Sequence, residues 1–326
     1  MNYYEICKDD LKLVIRTDIM CFADMMDKYF SGCFSICEYN KNNISNETVV
    51  IDIIQNNNLK VVGKNCFVMG YNTYICCDNK NRILFIYDDK FNEIQCINLK
   101  RIVIDIFAKY YESMGTYFVH AAAVVNKENK KATVFIGDTG SGKTTNLLFY
   151  LQSGQYNYMG NDRIGLRYYN GDLIANGFPS NLGLRYPTLE LNSKLKDMIL
   201  PYIDNQKYSR YIKNLMNDEK ITLTVFNLLN VFNCRLIDKS IISDFIITCH
   251  DEKAYGDVFE KISCKELLEQ IEKQHIPSVS KEQYFLNDLL DFKYNKNMGN
   301  LSSINISAYK SNLHPNDNKR LIKRKL

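Results

Sequence analysis

The stretch that most constrains the chain is "VFIGDTGSGKTTNLLFYL", residues 134–151. A β-branched apolar run leads into a glycine-rich turn, and a leucine-bearing helical pattern leaves it. This order requires a strand, a tight loop and a helix in sequence. Gly137, Gly140 and Gly142 let the backbone curl so that successive N–H groups face one concavity, an arrangement that suits an anion. The helix start adds partial positive charge. Gly137, Asp138, Thr139, Gly140, Ser141, Gly142, Lys143 and Thr144 match G-x-x-x-x-G-K-[ST], and Thr145 follows. In this pattern Lys143 carries a full charge to the outer phosphates of a nucleoside triphosphate, and the Thr144 hydroxyl faces Mg²⁺. The loop contacts phosphates only, so the base stays unspecified.

Composition limits what surrounds this loop. The 326 residues are 46% hydrophobic and 24% charged, with a net charge of +4, the balance of an ordinary globular protein. So small a net charge does not call for nucleic acid, whose binding usually shows as a concentrated basic face, and nucleic acid is not an expected partner. The apolar runs are too short to span a bilayer, and the N-terminus lacks the pattern of a signal peptide. Eleven cysteines without a C-x-x-C pair point to reduced thiols rather than a zinc site. A cytoplasmic protein is the expectation.

The fold class expected is mixed α/β, in three parts. Residues 1–100 read as a β-rich domain: "KLVIR", "TVVIDIIQ", "TYICCD", "RILFIYDD" and "IQCINL" are short β-branched or aromatic runs set off by Asn- and Asp-rich turns. Hairpins of an antiparallel sheet fit this spacing. "IMCFADMMDKYF" is the exception, with the apolar spacing of a helix. Residues 101–311 form the α/β domain that carries the loop. It opens with a helix ending at Gly115, on which Ile102, Ile106, Tyr110 and Met114 make one stripe, followed by "TYFVHAAAVV" as a strand. "DFIITC" reads as a buried strand and "SCKELLEQIEKQ" as a helix capped by Ser263. Residues 312–326 are a basic tail, either solvated or in contact with an acidic partner.

Two further side chains bear on chemistry. Asp162 follows the strand-like "YNYMG", the expected neighbour of the loop strand, so it ends near the phosphates. There an Asp can hold Mg²⁺ or take a proton from an attacking hydroxyl, whereas "GND" also reads as a turn. His120 reads first as a core histidine.

The order "FVHAAAVV", "ATVFIGDTGSGKTTNLLFYL", "SGQYNYMGNDRIGL" and "ANGFPSNLGLR" resembles the HPr kinase/phosphorylase family and its peptide-kinase and phosphoenolpyruvate carboxykinase relatives, over about residues 101–290. The resemblance implies a P-loop kinase domain of that type, using ATP and Mg²⁺ to phosphorylate a Ser or Thr hydroxyl of a protein or peptide. It implies that Lys143 grips phosphate, that Thr144 and Asp162 serve the metal side, and that Asp162 acts on the acceptor hydroxyl with His120 beside it. It sets Arg185 where relatives place an arginine, against transferred phosphate or simply solvated. HPr kinases form hexamers, which makes a homo-oligomer one implied partner.

Two positions depart from the family pattern. Asn161 replaces the first Asp of the acidic pair, and Thr145 stands where HPr kinases proper have Glu. The implied acceptor is therefore another protein or peptide rather than HPr. A small-metabolite kinase, a nucleotide-binding scaffold without transfer and a plain NTPase are the alternatives.

Overall fold

The computed structural model describes residues 1–9, 11–30, 34–44, 48–55, 66–70, 73–79, 82–87, 90–185, 188–189, 193–202, 221–249, 259–276 and 306–312. The chain divides into two compact units, one over Met1–Gly115 and the other over Thr116–Ile276 with residues 306–312. The basic tail expected at 312–326 lies outside the described residues apart from Asn312.

The first unit holds seven strands: β1 (Asn2–Lys8), β2 (Leu11–Thr17), β3 (Ser35–Glu38), β4 (Val49–Gln55), β5 (Cys66–Gly70), β6 (Thr73–Asn79) and β7 (Arg82–Tyr87). They form one sheet in the order β3-β1-β2-β4-β7-β6-β5. The antiparallel expectation needs correcting, because β4 pairs parallel with both β2 and β7. Parallel neighbours need a crossover. Helix α1 (Phe22–Phe30) and β3 intervene between β2 and β4, and the β5–β6 hairpin intervenes between β4 and β7. Ile6, Leu13, Ile15, Ile51, Ile75, Ile83 and Phe85 are wholly buried. Asp52 on β4 is buried too, its charge met by Arg16 and Arg82 from the strands on either side, as a desolvated carboxylate requires.

"IQCINL" is helical rather than extended, since α2 runs over Glu93–Ser113. Asn92 is the reason. Its side chain accepts from Ile94 N at 2.8 Å while the Gln95 side chain accepts from Asn92 N at 3.2 Å. This reciprocal cap starts a helix whatever the β-propensity of the next residues. Leu99, Ile102, Val103, Ile106 and Phe107 form its buried face. The boundary expected at 100/101 therefore moves to 115/116, after Gly115 ends the helix at φ +84°. Cys76 on β6 is disulfide-bonded, against the expectation of reduced thiols. The β5–β6 register sets it opposite Cys66, a proximity invisible in linear spacing. Seven of the described cysteines are free.

In the second unit "TYFVHAAAVV" is two strands, β8 (Tyr117–Val119) and β9 (Ala121–Asn126), broken at His120. Then come β10 (Ala132–Ile136), α3 (Lys143–Gln152), β11 (Tyr156–Gly160), β12 (Ile164–Tyr169), β13 (Asp172–Gly177), β14 (Leu182–Leu184) and α4 (Ser193–Ile199). Beyond them lie β15 (Ile221–Leu223), α5 (Val225–Phe232), β16 (Lys239–Cys249), β17 (Phe259–Lys261), α6 (Cys264–Lys273) and β18 (Ser307–Asn312). The main path of the sheet is β11-β9-β10-β16-β13-β12-β8, with β18 beside β16 and β17 beside β18. β9 lies between β10 and β11, so the strand before Asp162 is not the direct neighbour of the loop strand.

Strand alternation builds a core on each face. Phe135 packs with Leu147, Leu148, Leu151 and Tyr158 on one side, while Val134 and Ile136 pack with Phe245, Leu267 and Ile271 on the other. This period of two down β10 sets α3 and α6 on separate clusters. Among the described residues no helix is long and apolar enough to cross a membrane.

Candidate functional site

Pairing directions decide which strand ends meet. β10 and β16 are parallel, and β9 is antiparallel to both β10 and β11. One edge of the sheet therefore receives the C-terminal ends of β10, β11 and β16 together with the start of β9. That edge carries Gly137, Asn161 with Asp162, Thr248 and His120, in the place where open α/β sheets hold ligands.

The residues of the glycine-rich loop are set by contacts that admit little else. At Gly137, φ +155°, an added Cβ would stand 2.4 Å from Thr248 O, 2.7 Å from Ser141 Oγ and 2.7 Å from Thr248 Oγ1. Ser141 Oγ and Thr248 Oγ1 lie 2.6 Å apart and buried, which ties the loop to the end of β16. Gly142 caps α3 at φ +96° and its carbonyl accepts from Asn146 N at 2.9 Å. Lys143 folds back into the loop, its Nζ donating to Gly137 O at 2.7 Å and Asp138 O at 2.9 Å. Burial pushes its ammonium down to about 8, against the opposing pull of Asp162 and Asp138. Thr144 is half-buried and Thr145 buried, whereas Asp138, Thr139 and Gly140 are exposed.

The acidic side is assembled around Asn161. His120 Nε2 lies 3.7 Å from Asp162 Oδ1. Asp162 Oδ2 accepts from Asn161 Nδ2 at 3.0 Å. The Asn161 side chain, 1% exposed, also donates to Ser180 Oγ at 3.1 Å and accepts from the Tyr158 hydroxyl. An aspartate in this place would have no proton to give to its neighbour's carboxylate, so Asn161 orients Asp162 without like-charge repulsion. Asp162 itself sits at φ +64°, a left-handed conformation that Asp tolerates, with its side chain 64% exposed. The exposed carboxylate next to a buried, fixed amide can meet a ligand from solvent.

His120 and Asp162 are therefore brought together, close enough to the loop for Asp162 to act on Lys143. Arg185 is exposed directly after β14, and its carbonyl accepts from Thr188 N at 3.0 Å. Sequence reading missed Thr248, Ser180, Lys273 and Gln274. Thr248 alone left a trace, at the end of an apolar strand of the kind that runs parallel to a loop strand. Among the described residues no group of three or more His, Cys, Asp or Glu is placed to hold a metal.

No protein-family model matches this chain, and no curated protein matches it significantly. Among solved structures, the Hpr(Ser) kinase/phosphatase from Coxiella burnetii matches with 13% identity and a TM-score of 0.34, over 64% of this chain and 87% of that one. The likeness is remote.

Proposed function

We propose that the second unit binds magnesium ATP at residues 137–145 and transfers the γ-phosphoryl group to a Ser or Thr hydroxyl of a protein or peptide. One observation carries the reading: a glycine-required phosphate loop and a His120–Asp162 pair share one sheet edge. The motif order that resembles HPr-kinase-type proteins runs through these same residues and agrees with the reading.

The site fits a magnesium nucleotide. No side chain could replace the hydrogen of Gly137 without striking Thr248, so the loop backbone stays close against the end of β16. Thr144 and Asp162 offer oxygen donors, which Mg²⁺ prefers. When bound, the metal neutralises charge on the transferred group.

Within this reading each residue has a task. Lys143 leaves the loop carbonyls to bind phosphate, and its charge stabilises the developing negative charge. Asp162 Oδ2, held by Asn161, keeps the carboxylate aimed. The carboxylate accepts the proton of the attacking hydroxyl, and His120 stabilises its other oxygen. Arg185 is assigned to the transferred phosphate. The acceptor oxygen bonds to the γ-phosphorus as its bond to the leaving nucleoside diphosphate, ADP, breaks, so little covalent chemistry falls to the protein. A second copy of the chain is a proposed partner on the family's precedent.

The test offers purified protein, Mg²⁺ and γ-labelled ATP to a lysate of its own host, with an Asp162→Ala variant alongside. The proposal expects label and one added phosphate mass on a polypeptide, reduced about 10²–10⁴-fold in the variant. ATP bound without transfer would replace it with a scaffold role, and label confined to small molecules with a metabolite kinase.

A further inference from the structure

Asp138 is an unusual neighbour for a polyphosphate. Its carboxylate belongs to the phosphate loop and acts electrostatically on Lys143, so it carries negative charge where a nucleotide would bring more. The structure shows how that charge is met. Lys273 Nζ donates to Asp138 Oδ2 at 2.8 Å and Gln274 Nε2 donates to Asp138 Oδ1 at 2.7 Å. Both carboxylate oxygens are taken by residues at the end of α6, more than 130 positions along the chain. The Lys273 hydrogen bond, with that of Gln274 behind it, holds the Asp138 carboxyl below its ordinary range.

The same short segment holds the other half of the site. Gln274 O accepts from His120 N at 2.8 Å, and Ile276 N donates to Phe118 O at 2.9 Å. The His275 ring stacks on Tyr117 with centroids 4.3 Å apart. Gln274 is 8% exposed, so its side chain is fixed by packing while Lys273 remains open to solvent. One residue thus bonds the phosphate loop through its side chain and His120 through its backbone.

We infer that Lys273 and Gln274 are positioning residues for nucleotide binding, which turn the Asp138 carboxylate away from the phosphates and keep the loop in register with His120. The inference rests on the phosphate-loop reading above. Neither residue needs to touch the nucleotide. Their effect passes through Asp138, and this separates the inference from a merely structural contact.

A mutant cycle between the Lys273/Gln274 pair and Asp138 tests it, read as the affinity of the full chain for magnesium ATP by calorimetry. Lys273→Ala combined with Gln274→Met, which preserves bulk and removes the donors, should weaken binding roughly three- to tenfold, the scale of an exposed charge pair plus one buried hydrogen bond. Adding Asp138→Asn removes the freed charge and should restore affinity to within about twofold of Asp138→Asn alone. Wild-type affinity in the first variant, or a loss that Asp138→Asn does not rescue, overturns the inference while leaving the nucleotide site standing. No nucleotide binding by the wild type overturns the phosphate-loop reading itself, and this inference with it. Lys273→Ala alone, at an exposed position, guards against misfolding: it should show a smaller loss with the same rescue.

Discussion

Lys143 is the residue where stability and the proposed function oppose each other. Its ammonium is buried and its ordinary pKa of 10.5 is lowered to about 8, so the folded chain favours the neutral form more than the unfolded chain does. The penalty is complete below pH 8 and disappears above the unfolded value. Stability from this group therefore rises with pH between about 8 and 10.5. Lys143→Met should leave the nucleotide-free protein stabilised by about 1 kcal/mol at pH 7, after the loss of two carbonyl contacts offsets part of the gain. Denaturant titration measures it. Phosphate favours the charged form, so nucleotide affinity should be flat below pH 8 and fall by up to about tenfold per unit above it. Gly137→Ala tests the opposite case, a site with no room. A methyl 2.4 Å from Thr248 O must move β16 or the loop, at a cost of about 2–4 kcal/mol in denaturant unfolding.

At the scale of elements, local signals were read well where a cap or a glycine writes them into adjacent residues. Ser263 does start α6, accepting from Glu266 N at 3.3 Å while Glu266 Oε2 accepts from Ser263 N at 2.9 Å. Ser263→Ala should cost about 1 kcal/mol by denaturant unfolding, since it leaves the first-turn amide unpaired. The strand–loop–helix around Gly137 was legible for the same reason. "IQCINL" was misread because its two isoleucines outweigh one Asn92 when the cap three residues before Gln95 is overlooked. His120 was legible as a residue but not as a strand break. Its neighbours are all apolar, and only the different partners of β8 and β9 reveal the break. Lys273 and Gln274 were illegible altogether, because nothing in a helix's own sequence tells which loop its last turn will meet.

At the scale of the whole molecule, long-range pairing decides what sequence order hides. The parallel β2-β4-β7 arrangement follows from crossovers, and Cys76 lies opposite Cys66 only once β5 and β6 pair. Alkylation without reductant should label exposed Cys21, Cys37 and Cys264 and spare Cys76, which becomes reactive only after reduction. Mass mapping of the peptides reads this directly. The functional proposal also belongs to this scale, since the loop, His120, Asp162 and Thr248 come from four strand ends that one pairing pattern brings to a single edge. The most direct test is equilibrium binding of magnesium ATP to the wild type and to Lys143→Met. The account predicts saturable one-site binding by the wild type and a loss of about 100-fold in the variant, the loss of charge-assisted phosphate contacts. No binding by the wild type, or equal binding by both, would contradict it.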